Sequence, residues 1–172
     1  IEFHAWFNPY RLSTSGSRDK LSKDNIGRKK PEWTVSYGGQ LYLNPGIPEV
    51  DDYVVDSIVE VVKNYDVDGI HMDDYFYPYK VKGQEYPDSA QYQKYGKNFA
   101  TVGDWRRDNV NRLIEKLHKA IKKENENVEF GISPFGVWRN ASTDPSRGSD
   151  TTAGVQNYDD LYADILLWMN KG

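Results

Sequence analysis

Apolar residues recur along this chain with two different periods, and the switching between them predicts its elements. Phe3, Ala5 and Phe7 alternate with His4, Trp6 and Asn8, a period of two that predicts a strand ended by Pro9. Residues 11 to 34 are polar and read as a long surface loop, and Gly38-Gly39 and Asn44-Pro45-Gly46 mark turns. From Pro48 the period changes. Val50, Tyr53, Val54, Ile58, Val61, Val62 and Tyr65 follow at three-and-four spacing, which predicts a helix with one apolar stripe.

The same alternation repeats twice more. Asp66 to Phe76 reads as a second strand, followed by a long loop from Tyr77 to Gly103. A second helix starts with Asp104 as its cap and carries Val110, Leu113, Ile114, Leu117 and Ile121. Val128 to Ser133 is the third strand, Asn140 to Asn157 a third polar loop, and Tyr158 to Met169 a final helix. Strand and helix thus alternate three times, the pattern of parallel strands joined by right-handed crossovers, an α/β class. Loops leaving the strands are long and those leaving the helices short, so the chemistry is expected at the strands' C-terminal ends. A closed eight-stranded barrel takes about 250 residues. Three βα units therefore read as one piece, residues 1–172, of a larger domain. Its open strand edges raise the expectation of self-association.

Composition narrows the function. With 22 Lys plus Arg against 26 Asp plus Glu, the net charge of −4 argues against a nucleic-acid partner. No apolar run approaches the roughly 20 residues that cross a bilayer, and the absence of cysteine removes thiolate chemistry. Thirteen Tyr and five Trp are more than a core this size requires; they are side chains with an apolar body and a polar tip.

Strand parity carries the candidate chemistry. One face reads Phe3, Ala5, Phe7, Ile70, Met72, Phe130 and Ile132; the other reads His4, Trp6, Asn8, Gly69, His71, Asp73, Tyr75, Gly131 and Ser133. If the apolar set packs on the helices, the polar set lines one shared space, with Trp6 expected to fill it. Asp73 and Asp74 sit at the second strand's C-terminal end, and parity selects Asp73 as the inward carboxylate, with His71 two residues earlier on the same face. Asp74 is the neighbouring candidate. Asn8 and Arg11 are placed to hydrogen-bond a ligand or to anchor a loop, and Tyr75, Tyr77, Trp138 and Arg139 to stack on a ligand's rings or to pack.

Four blocks add a family likeness. His4-Ala5-Trp6-Phe7-Asn8-Pro9-Tyr10-Arg11, Leu43-Asn44-Pro45-Gly46, the run from Asp68 to Pro78, and Gly131-Ile132-Ser133-Pro134-Phe135-Gly136 together resemble the bacterial glycosyl-hydrolase-like barrel family. The resemblance spans the chain. It implies a (β/α)₈ barrel, secretion to the cell envelope and hydrolysis of glycosidic bonds in peptidoglycan-type glycans. Asp68 to Asp73 is also similar to the fourth-strand motif of α-amylase-type barrels; that likeness implies Asp73 as nucleophile, with His71 where an orienting Arg stands. A glycosidase needs two carboxyls. The third strand ends in Ser133-Pro134-Phe135 without one, so the partner is expected outside these three strands. Two alternatives remain open: a module that binds glycans through Tyr and Trp without cleaving them, and a metal-dependent hydrolase using His71, Asp73 and Asp74. On the main reading neither metal nor cofactor is expected.

Overall fold

The structure, a computed structural model, describes residues 1–171. It contains two sheets. Strand β1 (His4–Phe7) leads into β2 (Arg11–Ser13), a short helix α1 (Ile26–Lys29) and the hairpin β3 (Thr34–Tyr37) and β4 (Gln40–Leu43). Helix α2 (Pro48–Asn64) carries the chain to β5 (Gly69–Met72). A small helix α3 (Ser89–Tyr95) precedes the long α4 (Val102–Glu124), after which come β6 (Glu129–Ile132) and α5 (Ile165–Lys171). The first sheet is parallel, in the order β1-β5-β6, and the second is antiparallel, in the order β2-β4-β3. Three parallel strands with helical crossovers make this the mixed α/β piece of a larger domain that the periodicity predicts.

Register explains why the parallel sheet has two unlike faces. Ala5 sits beside Ile70 and Phe130, and Phe7 beside Met72 and Ile132, forming the rows that meet the helices. Ile70 and Met72 are fully buried against Val50, Val54 and Ile58 of α2 and Val110, Leu113 and Leu117 of α4. On the opposite face His4 sits beside Gly69, Trp6 beside His71, and His71 in turn beside Gly131. A Cβ at Gly69 would lie 2.7 Å from the His4 ring, so glycine here lets that ring lie over the strand. Phe3 departs from the expected pattern. It precedes the first strand pair and stands 64% exposed.

Four boundaries differ from the expectations. The polar stretch from 11 to 34 is not all loop: it opens with β2, which pairs with β4, and contains α1, and beyond it β4 pairs with β3 across Gly38-Gly39, both at positive φ. Such a two-residue turn twists with its strands and favours glycine at both places. The strands escaped notice because they are three or four residues long and one carries Arg11 and Ser13. The second parallel strand is short, since the chain leaves the ladder at Asp73. Helix α4 begins one turn early: Thr101 is its cap, accepting from Asp104 N (3.1 Å), while the Thr101 hydroxyl donates back to the Asp104 carboxylate (2.7 Å). The final helix is broken. A π turn, Asn157–Leu161, ends at Tyr162 in the left-handed region (φ 56°), and a fresh helix starts where Asp164 Oδ1 accepts from Leu167 N (3.2 Å).

Arg106 on α4 explains that break. Its guanidinium donates twice to Asp88 (2.8 and 2.6 Å) and once to the Tyr162 hydroxyl (2.8 Å), all buried. The rings of Tyr77, Tyr86 and Tyr162 surround it, with centroids 5.1 to 5.8 Å away. One side chain thereby ties the segments that follow β5 and β6 to the helix beneath them. None of the described helices is long and apolar enough to cross a membrane.

Two predictions follow from this buried polar layer. Arg106→Met strands Asp88 as an unpaired buried carboxylate, so urea denaturation should register a loss of about 3–5 kcal/mol. Asp51, buried in the first turn of α2, accepts from Arg112 Nε (2.6 Å), yet its second oxygen has no partner among the described residues. Burial pushes its carboxyl up to about 6 despite the attraction of Arg112. The folded state therefore holds this proton to higher pH than the unfolded chain, and the stability Asp51 contributes falls as pH climbs from about 4 through about 6, by up to about 3 kcal/mol. Unfolding curves between about pH 4 and 7 should show that decline, and Asp51→Asn should flatten it.

Candidate active site

The polar face of the parallel sheet converges on Asp73. Trp6 Nε1 on the neighbouring strand donates to Asp73 Oδ2 (3.1 Å), and Tyr75 N donates to Oδ1 (3.0 Å). One bond crosses between strands and the other closes a local turn as the chain leaves the ladder, so the carboxylate is held from two directions. Each oxygen keeps acceptor capacity, since an ionised carboxylate offers about four acceptor positions. His71 lies one step back on the same face, with its ring 3.7 Å from where a Cβ on Gly131 would stand. It is half-buried and its ring has no hydrogen-bond partner among the described residues. His4 is exposed, 3.7 Å from Glu2.

Asp74 has a different role. Its carboxylate accepts a hydrogen bond from the Tyr79 hydroxyl. Burial and that bond to the carboxylate raise Tyr79 well above an ordinary phenol. His71, Asp73 and Asp74 do not form a three-ligand group, and no such group of His, Asp or Glu exists among the described residues. The metal-dependent alternative therefore lacks its ligand set.

A cleft of about 280 Å³ adjoins Asp73, lined by Asn8, Arg11, Tyr75 and Tyr79 together with Tyr37, Gln40 and Tyr42 of the antiparallel sheet. Asn8 Oδ1 accepts from Tyr10 N (3.3 Å) and Arg11 N (2.9 Å), which fixes the turn that presents Arg11. Tyr37, Gln40, Tyr42 and Tyr79 were not among the predicted site residues. The signal that marks the first three is the alternation around Gly38-Gly39, a hairpin signature. A larger groove of about 690 Å³ runs between β6, α4 and α5, lined by Phe130, Ile132, Ile165 and Trp168 among others. It lies on the helix-facing side of the sheet and contains none of the predicted site residues.

The structure separates the remaining candidates. Trp6 does not fill a space: it stands 51% exposed. Ser133 is exposed just beyond β6, its N–H donating to Met72 O (2.8 Å). Tyr77 is no sugar platform. It is fully buried, accepting from Asn109 Nδ2 (3.1 Å) and packed edge-on against Tyr86 and Tyr162. The chain turns inward past Tyr75, and the Arg106 cluster captures the ring. Trp138 is buried too, with Arg139 and Arg147 stacked over it, and Arg139 is engaged twice by Asp159 (2.7 and 2.6 Å). These two residues knit the segment after β6 together instead of facing the cleft. Trp138→Ala should accordingly cost about 2–4 kcal/mol in unfolding measurements, whereas Tyr75→Ala should stay within about 1 kcal/mol of the parent.

Comparison with known proteins agrees with this architecture. A family model described as Glycosyl hydrolase-like 10 matches residues 1–172. Glycosyl hydrolase YngK of Bacillus subtilis (strain 168) is 59% identical over 174 residues, an alignment covering all of this chain and 34% of that protein. Glycosyl hydrolase DigH of Escherichia coli (strain K12) is 42% identical over 181 residues, covering all of this chain and 40% of its own length. The chain thus spans between a third and two-fifths of the curated relatives it matches. With a family match from one end to the other and relatives well above any chance likeness, the chain belongs to the Glycosyl hydrolase-like 10 family.

Proposed function

We propose that this chain forms part of a (β/α)₈ glycosidase that cleaves a cell-envelope glycan of the peptidoglycan type, with Asp73 as its principal catalytic carboxylate. The observation that carries the reading is the Trp6–Asp73 hydrogen bond, which joins the ends of two adjacent parallel strands on their polar face. Active sites of parallel α/β barrels gather at that end of the strands. Both Asp73 oxygens accept hydrogen bonds. These two bonds fix the orientation of the carboxyl group, which suits it to attack on an anomeric carbon. In such a step an Asp73 oxygen bonds to the sugar carbon, the glycosidic bond breaks, and the leaving oxygen takes a proton from a second carboxyl. Water, giving one proton to the second carboxylate, then cleaves the glycosyl ester, which restores both carboxyl groups to their starting states. His71, behind Asp73 on the same face, is the supporting residue. The envelope substrate, and with it export from the cytoplasm, is what the resemblance carried by the four sequence blocks implies.

A second reading has its own support. Asp74 is committed to Tyr79, so Asp73 is the one strand-end carboxylate that this face presents among the described residues. Glycan binding without hydrolysis is what a site limited to one carboxyl would do.

A single assay divides the two. Purified cell-wall glycan strands are incubated with the full-length protein that contains this chain, and the release of reducing ends is followed. Hydrolysis should fall by about 10³-fold or more in Asp73→Asn with the circular-dichroism spectrum unchanged. Near-normal turnover in that variant removes Asp73 from the mechanism, and retention of glycan with no product favours the binding module.

A further inference from the structure

Arg11 is the exception among the arginines of this chain. Each of the other seven spends its guanidinium on the protein: Arg18 on Thr34, Arg28 on Leu21 O, Arg106 on Asp88, Arg107 on Asp104, Arg112 on Asp51, Arg139 on Asp159 and Arg147 on Asp144. Arg11 makes no side-chain hydrogen bond or ion pair among the described residues. Its guanidinium lies 5.6 Å from the centroid of the Tyr75 ring and lines the cleft beside Asp73. It is the only cationic side chain in that lining, and no acidic side chain faces it there. The surroundings are otherwise rigid: Asn8 holds the Arg11 backbone, the Tyr42 hydroxyl donates to Gln40 (2.9 Å), and Tyr37 accepts from Val81 N (2.7 Å).

A half-buried guanidinium retains five donors in a fixed fork, whose natural complement is a carboxylate held by two parallel bonds. The tyrosine rings around it offer apolar faces with polar rims, the complement of a pyranose ring. The volume suits one monosaccharide unit rather than an extended chain.

We propose that this cleft is a subsite for a carboxylate-bearing sugar and that Arg11 determines specificity for the acidic unit. The inference rests on the glycan reading above but not on hydrolysis. Arg11 reads the free carboxylate through two charge-assisted hydrogen bonds, Tyr75 supports both the guanidinium and the sugar, and Asn8 and Gln40 meet hydroxyls. An esterified acid keeps the shape and loses the charge, so it should be discriminated against.

The test is titration calorimetry of the full chain with N-acetylmuramic acid and with its methyl ester. The acid should bind about tenfold or more tightly than the ester, and the preference should shrink as salt is raised. Arg11→Met should abolish the preference, and Arg11→Lys, which keeps the charge without the fork, should retain part of it. Equal binding of acid and ester by the unaltered protein overturns the proposal, as does an undiminished preference in Arg11→Met or no binding of the acid at about 10 mM. A protein that prefers the acid yet releases no reducing ends from glycan strands would overturn the hydrolase reading and leave this one standing.

Discussion

The guanidinium of Arg106 is the point on which the upper half of the molecule depends. It projects from α4, the helix that crosses beneath β5, and it is 7% exposed. Placing a charge there costs several kcal/mol unless its donors are satisfied. Asp88 and the Tyr162 hydroxyl satisfy them, and three tyrosine rings close around the rest. Asp88 belongs to the long segment after β5, and Tyr162 to the segment after β6. Neither segment has a ladder of its own to hold it. A single desolvated cation therefore does for the loops what backbone hydrogen bonds do for the sheet.

That anchoring decides where the polar face of the sheet can open. Past Met72 the chain leaves its ladder, and the next residues alternate between two fates. Asp73 and Tyr75 remain on the outer side, the first bonded by Trp6 and the second lining the cleft. Phe76 and Tyr77 plunge into the core, where Phe76 meets Trp168 and Tyr77 joins the Arg106 cluster. Tyr37 then reaches across from the antiparallel sheet to hold Val81 N. The cleft is the space between that sheet and this returning loop, so the insertion after β1 is a wall of the site.

Much of the parallel layer was legible in the sequence because its signals are periodic and local. The stripe of α2 and α4 and the alternation of His4, Trp6 and His71 with Ala5, Phe7 and Ile70 need no tertiary information. Asp73 shared a face with Trp6 by parity alone. What escaped reading depended on distant partners. Strand β2 exists because β4 pairs with it, and neither Arg11 nor Ser13 announces a strand. Tyr77 and Trp138 look like any aromatic at a strand end until Arg106, Arg139 and Arg147 are brought to them from elsewhere in the chain. Tyrosine is ambiguous by construction, since the ring that stacks on a sugar is also the ring that shelters a buried guanidinium.

This ambiguity bears on the surplus of aromatics. Tyr77, Tyr86 and Tyr162 surround Arg106, while Tyr158 and Trp138 stack with Arg139. In each group the arginine is also bound to a carboxylate, so the rings cover an ion pair that is already made. Tyr75 and Arg11 repeat the first half of that arrangement, a guanidinium over a ring, and omit the second. The missing member is the carboxylate. Where the fold supplies the anion from its own chain, the aromatic–arginine cluster is structural. Where it leaves the position open at the mouth of a cleft, beside the residue that two strands hold in place, the same chemistry is available to a ligand.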